Sequence, residues 1–130
     1  MSRILLDTSA YSAFMKGDPE IRSTLQVAEE IFLNPVVLGE LFSGFTRGKR
    51  EKKNLEELGA FLSSPRVEIL EIDEETAPPY AVIYNTLRDA GTPIPTNDIW
   101  IAATAMQHGL RVLTRDTHFR KVPQIILMGC

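Results

Sequence analysis

An alternation of short apolar segments with longer segments of helical periodicity constrains the fold of this 130-residue chain more than any other feature. The short apolar segments are typical of strands, and they lie at residues 3–7, 31–33, 67–72, 112–114 and 125–127. Strands that alternate with helices form parallel sheets, because each helix returns the chain to the same end of the sheet. The pattern therefore predicts one α/β domain over residues 1–130, with a parallel sheet that helices cover on both faces.

Capping residues and glycines bound the predicted helices, which fall at residues 10–17, 19–28, 35–48, 51–63, 80–90 and 97–109. Thr8 or Ser9 is expected to cap the first helix, and Thr96 or Asn97 the last. The Pro78–Pro79 pair cannot lie inside a regular helix, so a loose turn is expected before the fifth helix begins. The third and fourth helices each carry an apolar stripe and predict a helical hairpin.

The charge balance argues against a strongly basic nucleic-acid-binding protein, since 17 acidic residues outnumber 14 lysines and arginines. The basic residues are nevertheless clustered in two places, at residues 47–53 and at residues 111–121. Each cluster can contact a phosphate backbone or can be an ordinary solvated surface, and both interpretations stand at this point.

Cysteine content and hydrophobicity favour a cytoplasmic location. Cys130 is the only cysteine, so an internal disulfide and a cysteine zinc site are both excluded. The apolar run before Asp7 is too short for a signal peptide, and no later segment is apolar over a length that could span a bilayer. We therefore expect a protein of the reducing cytoplasm with no membrane partner.

Carboxylates occur where the predicted fold would collect ligands. Asp7 ends the first strand and Asp116 follows the fourth, and parallel sheets bind ligands at the carboxyl ends of strands where the order of connections reverses. If these two strands are neighbours, both carboxylates meet at one edge. The loop before the last helix, which carries Asp98 at its start, opens towards the same edge of the sheet. Glu40 could complete the cluster. Converging carboxylates repel one another unless a cation neutralises them, and Mg²⁺ takes oxygen ligands.

Each acid also has a purely structural interpretation. Asp7 and Asp98 can support the start of a helix, Asp116 can make a turn, and Glu40 can lie on the surface. The combination favours a chemical role, because Asp7 follows three apolar residues of a strand that should be buried. An uncompensated charge at that position would be costly.

Other catalytic constellations are weak. His108 and His118 are the only histidines, and neither stands in a zinc-ligand spacing with another histidine or cysteine. His108 precedes Gly109 at the predicted helix end and is expected to be a capping or surface residue. His118 follows Asp116 closely enough to reach a bound phosphate. The chain has no glycine-rich phosphate loop, which argues against a P-loop nucleotidase.

Four segments of the chain resemble, in order and spacing, the motifs of PIN-domain ribonucleases, with most likeness to VapC-type toxins of toxin-antitoxin systems. They are ILLDTSAYSAFMKGD, NPVVLGELFSG, IPTNDIWIAATAMQHGL and VLTRDTHFRKV, and they cover nearly the whole chain. The combination of TNDIWIAA with TRDTHF is specific, whereas DTS alone would be a weak signal.

The resemblance implies a three-layer αβα PIN-like nuclease domain, with a five-stranded parallel sheet in the order 3-2-1-4-5 and a helical hairpin. It implies an acidic pocket that holds Mg²⁺ or Mn²⁺. The acids implied for catalysis and metal binding are Asp7, Glu40, Asp98 and Asp116, and the polar residues implied to support them are Thr8, Asn97 and Thr114. The implied partners are a structured RNA substrate (transfer RNA or ribosomal RNA), a cognate antitoxin and a second copy of the chain.

The residues and the resemblance predict a metal-dependent endoribonuclease, the toxin of a type II toxin-antitoxin system. It would cleave RNA with a metal-activated water and leave 5′-phosphate ends. The antitoxin is expected on the apolar faces of the hairpin, around Leu41, Phe42, Phe45, Leu55, Leu58 and Phe61. Packing of the hairpin against its own domain explains most of these residues equally well, so both interpretations stand.

Two other functions remain open. One is a receiver-like signalling domain, in which Asp7 binds the metal, Asp73 accepts a phosphoryl group and Thr114 senses it. The lack of a second acid beside Asp7 argues against this function. The other is a catalytically silent PIN scaffold that binds RNA or protein.

Overall fold

The fold is an open parallel sheet between two layers of helices. The structure, a computed structural model, describes residues 2–130. The strands are β1 (Arg3–Leu6), β2 (Glu30–Leu33), β3 (Val67–Ile69), β4 (Arg111–Leu113) and β5 (Ile126–Met128). The helices are α1 (Thr8–Met15), α2 (Pro19–Val27), α3 (Pro35–Arg47), α4 (Glu51–Leu62), α5 (Ala77–Asp89) and α6 (Thr96–His108), and a 3-10 helix, η1 (Thr117–Lys121), precedes β5.

The described residues form a five-stranded sheet in the order β3-β2-β1-β4-β5, and every neighbouring pair is parallel. The predicted order is confirmed. Ile4, Leu5 and Leu6 of the central strand β1 are all buried, as expected where helices cover both faces. The chain winds outward from β1 through β2 to β3, and then crosses to β4 and β5 on the other side. The winding therefore reverses between β1 and β4, which is where parallel sheets bind ligands.

Apolar side chains from the sheet and from the helices on it form one continuous core. Tyr11 of α1, Leu58 of α4, Ile83 of α5 and Phe119 of η1 are among its largest fully buried members. α3 contacts α4, so the predicted helical hairpin is present. Among residues 2–130, none of the helices is both long and apolar enough to cross a membrane.

The first and last α-helices begin earlier than predicted. α1 begins at Thr8, and its N-cap is Asp7, whose carboxylate accepts a hydrogen bond from the Ala10 amide at 2.9 Å. α6 begins at Thr96 directly after Pro95, which occupies the N-cap position. The residues predicted as caps therefore lie inside the first turns, because the residue before them already has the non-helical backbone that precedes a helix.

The Pro78–Pro79 pair does not delay the fifth helix, and the predicted start at Tyr80 is wrong. α5 begins at Ala77, so both prolines lie in its first turn. The amide hydrogens of a first turn have no partner inside the helix, and proline loses nothing by lacking one there. Two further differences are that β3 ends at Ile69, before the predicted residue 72, and that η1 was not predicted.

Candidate active site

Asp7 lies where the winding of the sheet reverses. It directly follows β1, and the register of β1 with β4 sets Leu6 opposite Leu113. Asp7 and Thr114 are therefore side by side, and the Thr114 hydroxyl donates a 2.6 Å hydrogen bond to Asp7 Oδ2. Both side chains are almost completely buried. The ends of β1 and β4 thus meet, which is the condition on which the predicted acid cluster depends.

Hydrogen bonds hold the Asp7 carboxylate in one orientation, but its buried environment disfavours the ionised form. The Ser9 hydroxyl and the Ala10 amide each lie 2.9 Å from Oδ1. Burial is the larger effect and raises the pKa of Asp7, the hydrogen bonds oppose this, and the negative charge of Asp116 raises the pKa further. A cation beside the carboxylate would favour its ionised form, so Asp7 is suited to bind one.

Asp98, Asp116 and His118 form a second group at this edge of the sheet. Asp98 is the third residue of α6, and Asp116 is the N-cap of η1, which contains His118. The His118 Nδ1 atom lies 3.1 Å from Asp98 Oδ2 and 3.2 Å from Asp116 Oδ1. One ligand atom from each residue lies within 4.8 Å of the other two. His118 was predicted only as a possible phosphate contact, and the structure places it inside the acid cluster.

Asp98 is in an unfavourable position for a charged side chain. Burial raises the pKa of Asp98 from 3.8 to about 6, and the negative charges of Asp116 and Glu40 act in the same direction. The hydrogen bond and the charge of His118 act in the opposite direction.

Glu40 reaches the cluster from α3. The Thr8 hydroxyl donates a 2.7 Å hydrogen bond to Glu40 Oε1, and the Asn97 amide nitrogen lies 3.4 Å from Glu40 Oε2. Thr8 follows Asp7 and Asn97 precedes Asp98, so polar neighbours of the two buried acids hold the Glu40 carboxylate. The structure thus brings all four predicted acids to one edge of the sheet.

Ser9 also contacts the site, although its position in the sequence predicts only a helix cap. Its hydroxyl lies 3.2 Å from the Thr114 hydroxyl and accepts a 2.9 Å hydrogen bond from the Arg115 amide, which joins the ends of β1 and β4. The only available signal was its place two residues after a strand-end acid. The Arg115 guanidinium turns away from the acids and pairs with Asp18 and Glu20.

The sheet order separates the residues that a receiver-like domain would need. β3 lies at the edge of the sheet next to β2, so Asp73, which follows β3, is separated from Asp7 by a strand. In flavodoxin-like sheets, to which receiver domains belong, the third strand lies beside the first. The receiver interpretation does not fit this structure.

Comparison with known proteins agrees with this fold. The sequence model of the PIN domain family matches residues 4–125. Ribonuclease VapC4 of Mycobacterium tuberculosis is 36% identical over 125 residues, which is 95% of this chain and 93% of that protein. Toxin FitB of Neisseria gonorrhoeae is 35% identical over 124 residues, 88% of each chain. The crystal structure of DNA-bound VapBC from Salmonella typhimurium matches with a TM-score of 0.86 and 29% identity, over 98% of both chains.

These matches extend over nearly the whole chain, and the chain belongs to the PIN domain family. Its relatives include proteins named VapC ribonucleases and toxins, and its structural neighbours include toxin-antitoxin complexes. The family resemblance predicted from the four sequence segments is therefore confirmed.

Proposed function

We propose that this chain is a divalent-metal-dependent endoribonuclease and the toxin of a type II toxin-antitoxin system. One observation carries the proposal. Four acids meet where the winding of the sheet reverses, between β1 and β4, in a chain whose relatives include VapC ribonucleases. They are Asp7, Glu40, Asp98 and Asp116. The proposed substrate is a structured RNA, either transfer RNA or ribosomal RNA.

The donor set fits Mg²⁺ or Mn²⁺, because carboxylate oxygens are the ligands that these ions prefer. Burial and mutual repulsion make the carboxylates costly without a counterion. In the part of the chain from residue 2 to residue 130, no lysine or arginine forms an ion pair with any of the four acids. When bound, the ion would polarise a phosphoryl oxygen and lower the pKa of a water molecule.

We assign Asp7, Asp98 and Asp116 to metal binding, directly or through water. Asp7 is already fixed by its hydrogen bonds, so it loses little side-chain freedom when it binds. Glu40 lines an open cavity together with Asn97 and the small residues of α3, and the substrate phosphate could enter there. Glu40 is therefore assigned to orienting the attacking water or to binding a second ion.

The test of this proposal is cleavage of structured RNA by variants that keep the shape of the site. Asp7→Asn and Asp98→Asn should each lower cleavage by orders of magnitude with the circular dichroism spectrum unchanged. EDTA should abolish wild-type cleavage, Mg²⁺ or Mn²⁺ should restore it, and the products should carry 5′-phosphates. Asp73→Asn is the matched control, because Asp73 lies outside the cluster, and it should leave cleavage unchanged.

Two outcomes would reject the proposal. Undiminished cleavage by Asp7→Asn would show that the acid cluster takes no part in the reaction. Binding of RNA by the wild type, without cleavage in Mg²⁺ or Mn²⁺, would identify a silent scaffold.

The basic residues at 47–53, where α3 turns into α4, are the proposed contact for the RNA backbone. They are all exposed, whereas Arg115 of the other basic cluster is engaged with Asp18 and Glu20. Each lost phosphate contact lowers the slope of log affinity against log salt by about 0.7–0.9. Lys49→Ala with Lys52→Ala should therefore weaken RNA binding and flatten its salt dependence.

We propose an antitoxin groove that overlaps only partly with the hairpin face predicted from the sequence, of which Phe42 and Leu55 remain exposed. Leu41 and Leu58 are buried in the core and are unavailable to a partner. An apolar cavity lies instead between α2 and α4, lined by residues that include Phe14, Leu25 and Phe61 with Arg22 and Arg66 beside them. We assign this cavity to an amphipathic antitoxin segment with acidic flanks.

The exposed Arg22 offers a test of this assignment. Arg22→Glu should reduce co-purification of the co-expressed antitoxin, since it reverses the charge beside the groove. Arg88→Glu on α5 is the control and should not. A homodimer and a cytoplasmic location also stay predictions, and light scattering of the purified protein tests the first.

A further inference from the structure

We propose that His118 supplies a nitrogen ligand to the metal centre, which makes the centre select first-row transition ions such as Mn²⁺ and Co²⁺ over Mg²⁺. This inference rests on the proposed function, because the ion is the one assigned to the acid cluster. It adds a ligand and a metal preference that four carboxylates alone would not provide.

The position of one ring nitrogen carries the inference. His118 Nδ1 lies 3.1 Å from Asp98 Oδ2 and 3.2 Å from Asp116 Oδ1. Neighbouring ligand atoms around an octahedral ion at about 2.1 Å are about 3.0 Å apart. The distance from the nitrogen to each of the two oxygens is thus nearly the distance between adjacent ligands of a single ion.

The contacts of this nitrogen are also better satisfied by a cation than by a hydrogen atom. A ring nitrogen carries at most one hydrogen, which cannot point straight at two carboxylate oxygens from different residues. A cation lying between the three atoms would contact the nitrogen and both oxygens at once. The geometry therefore fits a three-donor site better than an ordinary hydrogen bond of histidine to one acid.

The local fold holds His118 in this orientation. The Asp116 carboxylate accepts a 2.9 Å hydrogen bond from the His118 amide, which closes the first turn of η1. The next residue, Phe119, is completely buried and anchors that turn in the core. The His118 side chain remains 45% exposed, so an ion can reach the ring from solvent.

A nitrogen ligand changes which ions the centre prefers. Mg²⁺ takes oxygen ligands and retains water, whereas imidazole binds transition ions with an affinity that rises from Mn²⁺ to Co²⁺ and beyond. Replacing one oxygen ligand by imidazole should thus leave Mg²⁺ binding weak and strengthen binding of Mn²⁺, and of Co²⁺ still more.

The experiment measures metal binding directly and needs no catalysis. Dissociation constants of Mg²⁺, Mn²⁺ and Co²⁺ are measured by calorimetry for the wild type, His118→Ala and His118→Asp. Bound Mn²⁺ is examined by pulsed electron paramagnetic resonance for coupling to a nitrogen nucleus. His108→Ala is the matched control, since His108 is the only other histidine and lies at the opposite end of α6 from Asp98.

If His118 is a ligand, the wild type and His108→Ala show nitrogen coupling, and His118→Ala does not. The preference for Co²⁺ over Mg²⁺ falls on the order of tenfold or more in His118→Ala. His118→Asp restores ion binding with an all-oxygen set, and its preference moves towards Mg²⁺.

Two results would overturn the inference, and they can be told apart from failure of the proposed function. Tight Mn²⁺ binding by the wild type without nitrogen coupling, or an unchanged metal preference in His118→Ala, removes His118 from the centre and leaves the metal nuclease intact. No binding of any of the three ions by the folded wild type removes both the ligand role and the metal centre.

Discussion

Replacing Asp98 by asparagine should make the metal-free protein more stable while it removes the proposed activity. Asp98 is only 8% exposed, and its burial raises the pKa of the carboxyl from 3.8 to about 6. A raised pKa means that the folded state disfavours the ionised form that is present at neutral pH. Asparagine has nearly the same shape and no charge, so the substitution removes this cost.

The pKa difference sets the magnitude and the pH window. Below pH 3.8 the carboxyl is protonated in the folded and the unfolded chain, so it costs nothing. Between pH 3.8 and about 6 the folded state holds the proton more tightly, and stability falls as pH rises. Above pH 6 the full cost applies, and it is at most about 3 kcal/mol because each pH unit is worth roughly 1.4 kcal/mol. The buried amide of asparagine has its own cost, so we expect a net gain of about 1–3 kcal/mol.

The assay is urea unfolding in EDTA, at several pH values between 4 and 8, for the wild type and Asp98→Asn. The gap in the free energy of unfolding should be smallest at pH 4 and should widen by about 2 kcal/mol between pH 4 and pH 7.5. At pH 7.5 the gain corresponds to roughly 3–10 °C in the melting temperature. Asp89→Asn, at an exposed position near the end of α5, is the control and should change stability by less than about 0.5 kcal/mol.

Saturating Mn²⁺ should narrow the gap or reverse it, because an ion that binds only the folded state stabilises the protein that holds it more tightly. The reasoning is refuted if Asp98→Asn is less stable than the wild type in EDTA at pH 7.5. It is also refuted if the gap does not change with pH.

Two further predictions concern packing outside the acid cluster. Tyr11→Phe should raise the free energy of unfolding by about 1 kcal/mol, since the buried Tyr11 hydroxyl has no hydrogen-bond partner among the described residues; a lower urea midpoint would contradict this. Gly129→Ala should cost more stability than Gly91→Ala. Both glycines have a positive φ, at which alanine costs about 1–2 kcal/mol of stability. Only at Gly129 would the new Cβ also lie close to other atoms, 3.0 Å from a Leu113 side-chain atom and 3.1 Å from the Thr114 carbonyl oxygen. Equal melting temperatures of the two variants would show that this close approach has no effect.

Local sequence determined the secondary structure of this protein and the places of its acids. Short apolar runs such as Ile4 to Leu6 are typical of buried strands, and Gly109 ends α6 because its positive φ suits glycine. Asp7 was identified as a candidate site residue because an uncompensated charge at the end of a buried strand would be energetically costly. Predictions from local sequence failed where the effect of a residue depends on its position in the helix. The Pro78–Pro79 pair lies in the first turn of α5, where the missing amide hydrogens cost no hydrogen bond.

The sequence motifs also carried the family resemblance, and through it the order of the sheet. From the residues alone, the meeting of Asp7 and Asp116 depended on the condition that β1 and β4 are neighbours. The structure meets that condition with the direct hydrogen bond from Thr114 to Asp7, across 107 positions of the chain.

Only the tertiary structure decided how the site is built. The contact of His118 with Asp98, the link that Ser9 makes between two strand ends, and the raised pKa of Asp98 all come from segments that are far apart in sequence. Burial and electrostatic interaction depend on distance in space, and no local pattern of residues encodes that distance. The sequence therefore indicates which acids are candidates for the site, while packing determines what surrounds them and the free energy that it costs to ionise them.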